Sequence, residues 1–172
     1  MFYPFRAFLR FYWDAVTKYQ IHSPFVFGLV HAVLEDRRVY YAFRDVEGLR
    51  ARMLSSEAVL EVTDFGTGAS KGQKRRSLRH IARRAGSSAE QGRRLFRLAQ
   101  WLAPQTMLEL GSSVGISTMY LASAVRNTPF LSLEGCPQTA EVARGNLQIL
   151  RLHKAEIITG AFYRKKIEEK YQ

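Results

Sequence analysis

Phe5, Phe8, Leu9, Tyr12, Val16 and Tyr19 recur at steps of three and four, the spacing that gathers side chains on one face of an α-helix of about fifteen residues. Such a face needs a cover, and the main domain, a second copy or a membrane surface would each serve. A second helix is predicted from Ser23, a capping hydroxyl, with Pro24 at the first helical position, where a missing N–H costs nothing. Val26, Leu29, Val30, Val33 and Leu34 supply its buried stripe, and His22 and His31 beside them read as hydrogen-bonded structural residues. A stretch rich in charge and small residues then leads to VTDFGTGASKGQKRR, with glycines at 66, 68 and 72. It lacks the GxxxxGK[ST] spacing of a phosphate cradle and is read as a turn or hinge.

Two basic amphipathic helices follow. On the first, Leu78, Ile81, Ala82 and Ala85 oppose Arg76, Arg79, His80, Arg83 and Arg84. Ser87 and Glu90 make the S-x-x-E capping pair of the second, where Leu95, Leu98, Ala99 and Leu102 point inward, Arg93, Arg94 and Arg97 point away, and Pro104 closes the element. Residues 1–104 are therefore expected to form an all-helical region. From residue 106 the period changes: TMLEL, PFLSLE and AEIIT are short apolar runs, separated by the helical patterns STMYLASAV and PQTAEVARGNLQIL. This β-α-β-α-β order predicts an α/β, Rossmann-like doubly wound parallel sheet over 105–172.

Composition narrows the classes. The chain has 172 residues, 47% apolar and 24% charged, which suits a folded domain. One cysteine, Cys136, excludes an internally stapled secreted scaffold and points to a reducing, cytoplasmic setting. The four histidines show no metal-ligand spacing, so no metal is expected. Arg6, Arg10 and Asp14 interrupt the apolar start too early for a transmembrane span, and nothing there resembles a cleavable leader. Of the formal charge of +11, +9 lies between Lys71 and Arg97, where ten Lys and Arg face Glu90 alone. This supports an alternative reading, a non-catalytic module gripping RNA or another polyanion through Arg76, Arg79 and Arg83. The aromatic residues concentrate at the start of the chain rather than between these arginines, so stacking platforms are not evident.

The candidate chemistry sits in ELGSSVGIS. Glu109 ends the first parallel strand, and Gly111 and Gly115 flank the turn into a helix, where backbone can approach a ligand at the carboxyl edge of the sheet. Glu134 ends the second strand, 23 residues beyond Gly111, where a carboxylate can accept both hydroxyls of a ribose. Spacing and context thus suggest a nucleoside-containing cofactor. Ser113 stands where a dinucleotide site would carry its middle glycine.

The spacing E-x-G-x-x-x-G instead resembles the first motif of class I S-adenosylmethionine-dependent methyltransferases, and Pro137 opening the helix after EGC fits too. Together with HSPFVF, TDFGTGAS, LFRLAQWL, LELGSSVGIST and LEGCPQTAEVA, the chain up to about residue 160 looks like a small bacterial branch of that family. The resemblance implies S-adenosylmethionine as cofactor, held by Glu109, Gly111, Ser113, Gly115 and Glu134. The loop 111–115 would take the methionine end, Glu134 the ribose, and Glu109 would orient the loop or the ammonium group. It implies methyl transfer to a small molecule, with O-methylation favoured, and leaves the catalytic residue unassigned. Two departures stand out. Ala161 occupies the position where an acidic or amide side chain usually meets the adenine, and the chain stops at RKKIEEKYQ, before a fourth strand. A chain truncated after the third strand is thus expected, with the first strand lacking a neighbour on one side. The N-terminal helices or a homodimer contact would cover that edge.

Overall fold

The computed structural model describes residues 3–15, 20, 22–64, 72–84 and 87–160. It divides into two compact units, Met1–Arg37 and Arg38–Gln172. In the first, α1 (Tyr3–Asp14) leaves Phe5, Phe8, Phe11, Tyr12 and Trp13 exposed. Val16 and Tyr19, expected on the same face, lie outside the described residues. α2 (Pro24–Leu29) begins as predicted, with the Val26 N–H donating to Ser23 Oγ at 3.4 Å. It runs on into a π-helical turn, Val30–Leu34. That wider turn shifts the helical phase, so the expected stripe is not kept: Val33 is buried, whereas Val26 and Leu34 are exposed.

The second unit opens with α3 (Tyr41–Ser55), inside the stretch read only as charged and small. Its buried residues Ala42, Phe43, Val46, Leu49 and Met53 follow a helical period between arginines and acids. Both flanks of the segment 62–76, expected as a turn or hinge, are strands of an antiparallel hairpin, β1 (Val59–Asp64) and β2 (Gly72–Ser77), in register from Val59 opposite Ser77 to Asp64 opposite Gly72. The region before residue 105 is therefore not all-helical. The polar run GQKRRS has no strand signature of its own and is extended because β1 offers it a complete ladder. Gly66 and Gly68 lie outside the described residues.

α4 (Leu78–Arg84) buries Leu78, Ile81 and Ala82 and exposes Arg79, His80, Arg83 and Arg84, as its pattern predicts; Ala85 lies outside the described residues. α5 (Ala89–Leu102) is capped one residue later than expected. Ser88 and Gln91 form the capping box, with Ser88 N–H on Gln91 Oε1 at 2.8 Å and Gln91 N–H on Ser88 Oγ at 3.2 Å, while Glu90 pairs with Arg94. The inward face centres on Gly92, Phe96 and Ala99, and Leu102 is exposed.

A parallel sheet completes the unit: β3 (Met107–Leu110), α6 (Ile116–Ala124), β4 (Phe130–Glu134), α7 (Pro137–Ile149) and β5 (Ala155–Thr159), in the order β3-β4-β5. Met107 pairs with Phe130 and Phe130 with Ala155. One apolar core joins α3, α4, α5 and the sheet, so the boundary expected at 104/105 falls inside a packed unit. Phe43 meets Phe96 edge-on, with centroids 5.1 Å apart, and lies 6.0 Å from Tyr120. Tyr120 is fully buried, and its hydroxyl donates to Glu47 Oε1 at 2.6 Å. Burial, and after it the Glu47 carboxylate, pushes that phenol well above its ordinary range. β3 forms one edge of the sheet, and Leu108 and Leu110 on it are exposed. No described helix is long and apolar enough to cross a membrane.

Candidate functional site

The loop leaving β3 is shaped by three residues with positive φ: Gly111 at 89°, Ser113 at 50° and Gly115 at 85°. Gly111 extends the ladder by donating its N–H to Leu133 O at 2.8 Å, after which the chain reverses. A Cβ on Gly111 would meet nothing within 4 Å, so the backbone there is open to an approaching ligand. Gly115 has the opposite surroundings. A Cβ there would lie 3.0 Å from Ala143 Cβ, so the second glycine lets the start of α6 pack against α7. The Gly115 N–H closes the turn on Ser112 O at 2.8 Å.

Glu134 links this loop to the next strand end. Its Oε2 accepts the Ser113 N–H at 2.6 Å, and its Oε1 accepts the Cys136 N–H at 2.9 Å. The side chain is half-buried, and each oxygen keeps a lone pair for a further donor. Glu109 is held differently. Ser117 Oγ donates to its Oε1 at 2.6 Å, while Thr118 Oγ1 and Ser132 Oγ donate to its Oε2 at 2.5 and 2.7 Å. One carboxylate thereby joins β3, α6 and β4 beneath the loop. None of these three partners lies in the 111–115 loop itself.

All five expected residues, Glu109, Gly111, Ser113, Gly115 and Glu134, thus lie together at the carboxyl ends of β3 and β4. Two further residues take part, one of them missed by the sequence reading. Asn146, buried on α7, donates from Nδ2 to Val114 O at 3.0 Å and pins the loop from behind. Ser112 Oγ is buried without a hydrogen-bond partner among the described residues. An asparagine facing a loop carbonyl has no sequence signal, whereas the serine pair at 112 and 113 was visible and only its roles were not.

Cys136 is buried beside this edge, and its thiol donates to Glu61 O at 3.6 Å, bringing β1 to the start of α7. Burial pushes the thiol up, but hydrogen bonds from Thr139 and neighbouring backbone outweigh it and leave the group below its ordinary range. Ala161, expected near an adenine, lies outside the described residues. The alternative cationic set is split. Arg76 is half-buried on β2, opposite Leu60, whereas Arg79 and Arg83 are exposed on α4.

No protein-family model and no curated protein matches the chain. Among solved structures it is similar to the SAH-bound methyltransferase PaMTH1 from Podospora anserina, with 16% identity and a TM-score of 0.51 over 86% of this chain and 53% of that one. It is also similar to the O-methyltransferase from Bacillus cereus in complex with SAH, with 20% identity and a TM-score of 0.46 over 77% of this chain and 52% of that one. The chain spans about half the length of these structures. The likeness to PaMTH1 shows the fold: the α/β, Rossmann-like arrangement that the β-α-β-α-β pattern predicted.

Proposed function

We propose that the carboxyl ends of β3 and β4 bind S-adenosylmethionine and that the chain serves in methyl transfer from it to a small-molecule oxygen acceptor. The observation that carries this reading is the convergence of the 111–115 loop and Glu134 through one hydrogen bond. A carboxylate already oriented by two N–H donors is prepared to accept ribose hydroxyls without reorganisation. The open backbone at Gly111 and the unspent hydroxyl of Ser112 suit the polar methionine end. The cofactor, when bound, supplies an electrophilic methyl on a sulfonium. The chain's own part is to orient that group and shield it from water; Glu109, spent on three hydroxyls, keeps the loop in shape.

Calorimetric titration of the 172-residue chain with S-adenosylmethionine and with S-adenosylhomocysteine tests the proposal. Saturable binding that weakens in Glu134→Ala supports it. Absence of heat for both ligands, with a folded sample, refutes it.

A further inference from the structure

We propose a second ligand site at the opposite end of the parallel sheet, a cleft suited to a small molecule that carries a diphosphate or a comparable pair of anionic groups. The cleft has a volume of about 610 Å³ and is walled by α3 and by the segments that follow α6 and α7. Those segments lead into the amino ends of β4 and β5, whereas the 111–115 loop and Glu134 lie at the carboxyl ends. The two sites are therefore separate, and this inference does not rest on the methyltransferase reading.

Four arginines are among the residues lining the cleft, Arg44, Arg52, Arg126 and Arg151, against one acid, Asp45. Arg126 is committed: its Nη2 donates to Leu150 O at 3.0 Å and Arg151 O at 3.1 Å. Those bonds offset the negative carbonyl end of α7, which would otherwise repel an anion. Arg52 and Arg151 form no ion pair among the described residues, and Arg44 Nε lies 3.9 Å from the Asp45 carboxylate. Like charges gathered in a concavity raise the local potential, and guanidinium forks match the oxygens of phosphate. On α3, Asp45 is the acid that opposes this field, and it sits beside Arg44. A cleft of this size lies within the range of small-ligand sites, roughly 300–1,000 Å³, and its concavity favours a compact anion over an extended RNA strand.

Calorimetry of the 172-residue chain with inorganic pyrophosphate at low ionic strength is the test, with fluorescence anisotropy of a short single-stranded RNA as the second arm. Saturable pyrophosphate binding is expected. Replacing Arg52 and Arg151 together by Ala should weaken it by about tenfold or more, a difference well within reach of losing two charge-assisted contacts. The paired control, Arg79→Ala with Arg83→Ala on α4, should leave it unchanged. All four side chains are exposed, so unaltered melting temperatures are expected to confirm that the variants fold; Arg52→Gln with Arg151→Gln provides a second pair that removes the charges but keeps a polar side chain. The proposal fails if pyrophosphate does not saturate, if the control pair loses as much affinity, or if only RNA binds and depends on Arg52 and Arg151.

Discussion

The backbone N–H of Ser113 donates to Oε2 of Glu134 at 2.6 Å, so the turn after β3 and the tip of β4 are tied through a single carboxylate. The other oxygen takes the Cys136 N–H, which fixes the entry to α7. Glu134→Ala frees both donors and removes the proposed ribose acceptor. Affinity for S-adenosylhomocysteine should fall by about tenfold to a hundredfold, given roughly 1.5–3 kcal/mol for bonds to a charged group. Glu134→Gln, which keeps one acceptor oxygen, should fall between the two in the same titration.

Gly115→Ala tests the loop's backbone. At φ 85° an L side chain is strained, and the new methyl would press on Ala143 from 3.0 Å. A loss of about 2–3 kcal/mol is expected, read as a lower urea midpoint with an unchanged slope. Gly111→Ala, equally strained but with open space around it, should cost less.

Glu109→Ala leaves the hydroxyls of Ser117, Thr118 and Ser132 without their shared acceptor. The expected destabilisation is about 2–4 kcal/mol in chemical denaturation. Weaker cofactor binding should accompany it only as far as the loop loosens, so raising the ligand concentration should restore saturation. An unchanged denaturation midpoint would remove Glu109 from the scaffold of the site.

Tyr120 links pH to stability. Its folded hydroxyl titrates above the value of about 10 that an unfolded tyrosine shows, because burial and Glu47 disfavour the phenolate. The group's contribution is therefore fully present below that pH and is lost as alkalinity rises beyond it, since only the unfolded chain releases the proton. Tyr120→Phe should unfold at a lower denaturant concentration at neutral pH, where Glu47 loses its donor, and should show a flatter alkaline decline. Equilibrium unfolding at a series of alkaline pH values measures both.

The parallel sheet was readable because TMLEL, PFLSLE and AEIIT are short apolar runs set between helical patterns and turn residues. The loop residues were readable because a strand-to-helix turn of this kind needs glycines at fixed offsets and an acid one strand away. The hairpin was not, since GQKRRS becomes a strand only through pairing with Val59–Asp64. Helix α3 had a usable period in Ala42, Phe43, Val46, Leu49 and Met53, obscured by the charges interleaved with it. The cap expected at Ser87 with Glu90 is formed one residue on, by Ser88 with Gln91. The three-dimensional start of α5, with Gly92 lodged against the ring of Tyr120, selects this frame. The π-helical turn at Val30–Leu34 moved the phase of a correctly placed helix, an event no periodic reading anticipates.

Strand β3 carries hydrogen bonds to β4 through Met107 and Gly111, whose N–H groups reach Pro129 O and Leu133 O. By the alternation of a parallel strand, the amides of Leu108 and Leu110 then face away from β4. Their protons should trade with deuterium faster than those of Leu131 and Leu133 in the middle strand. A polypeptide engaging those outward amides would end its ladder directly before Gly111, the first residue of the glycine turn.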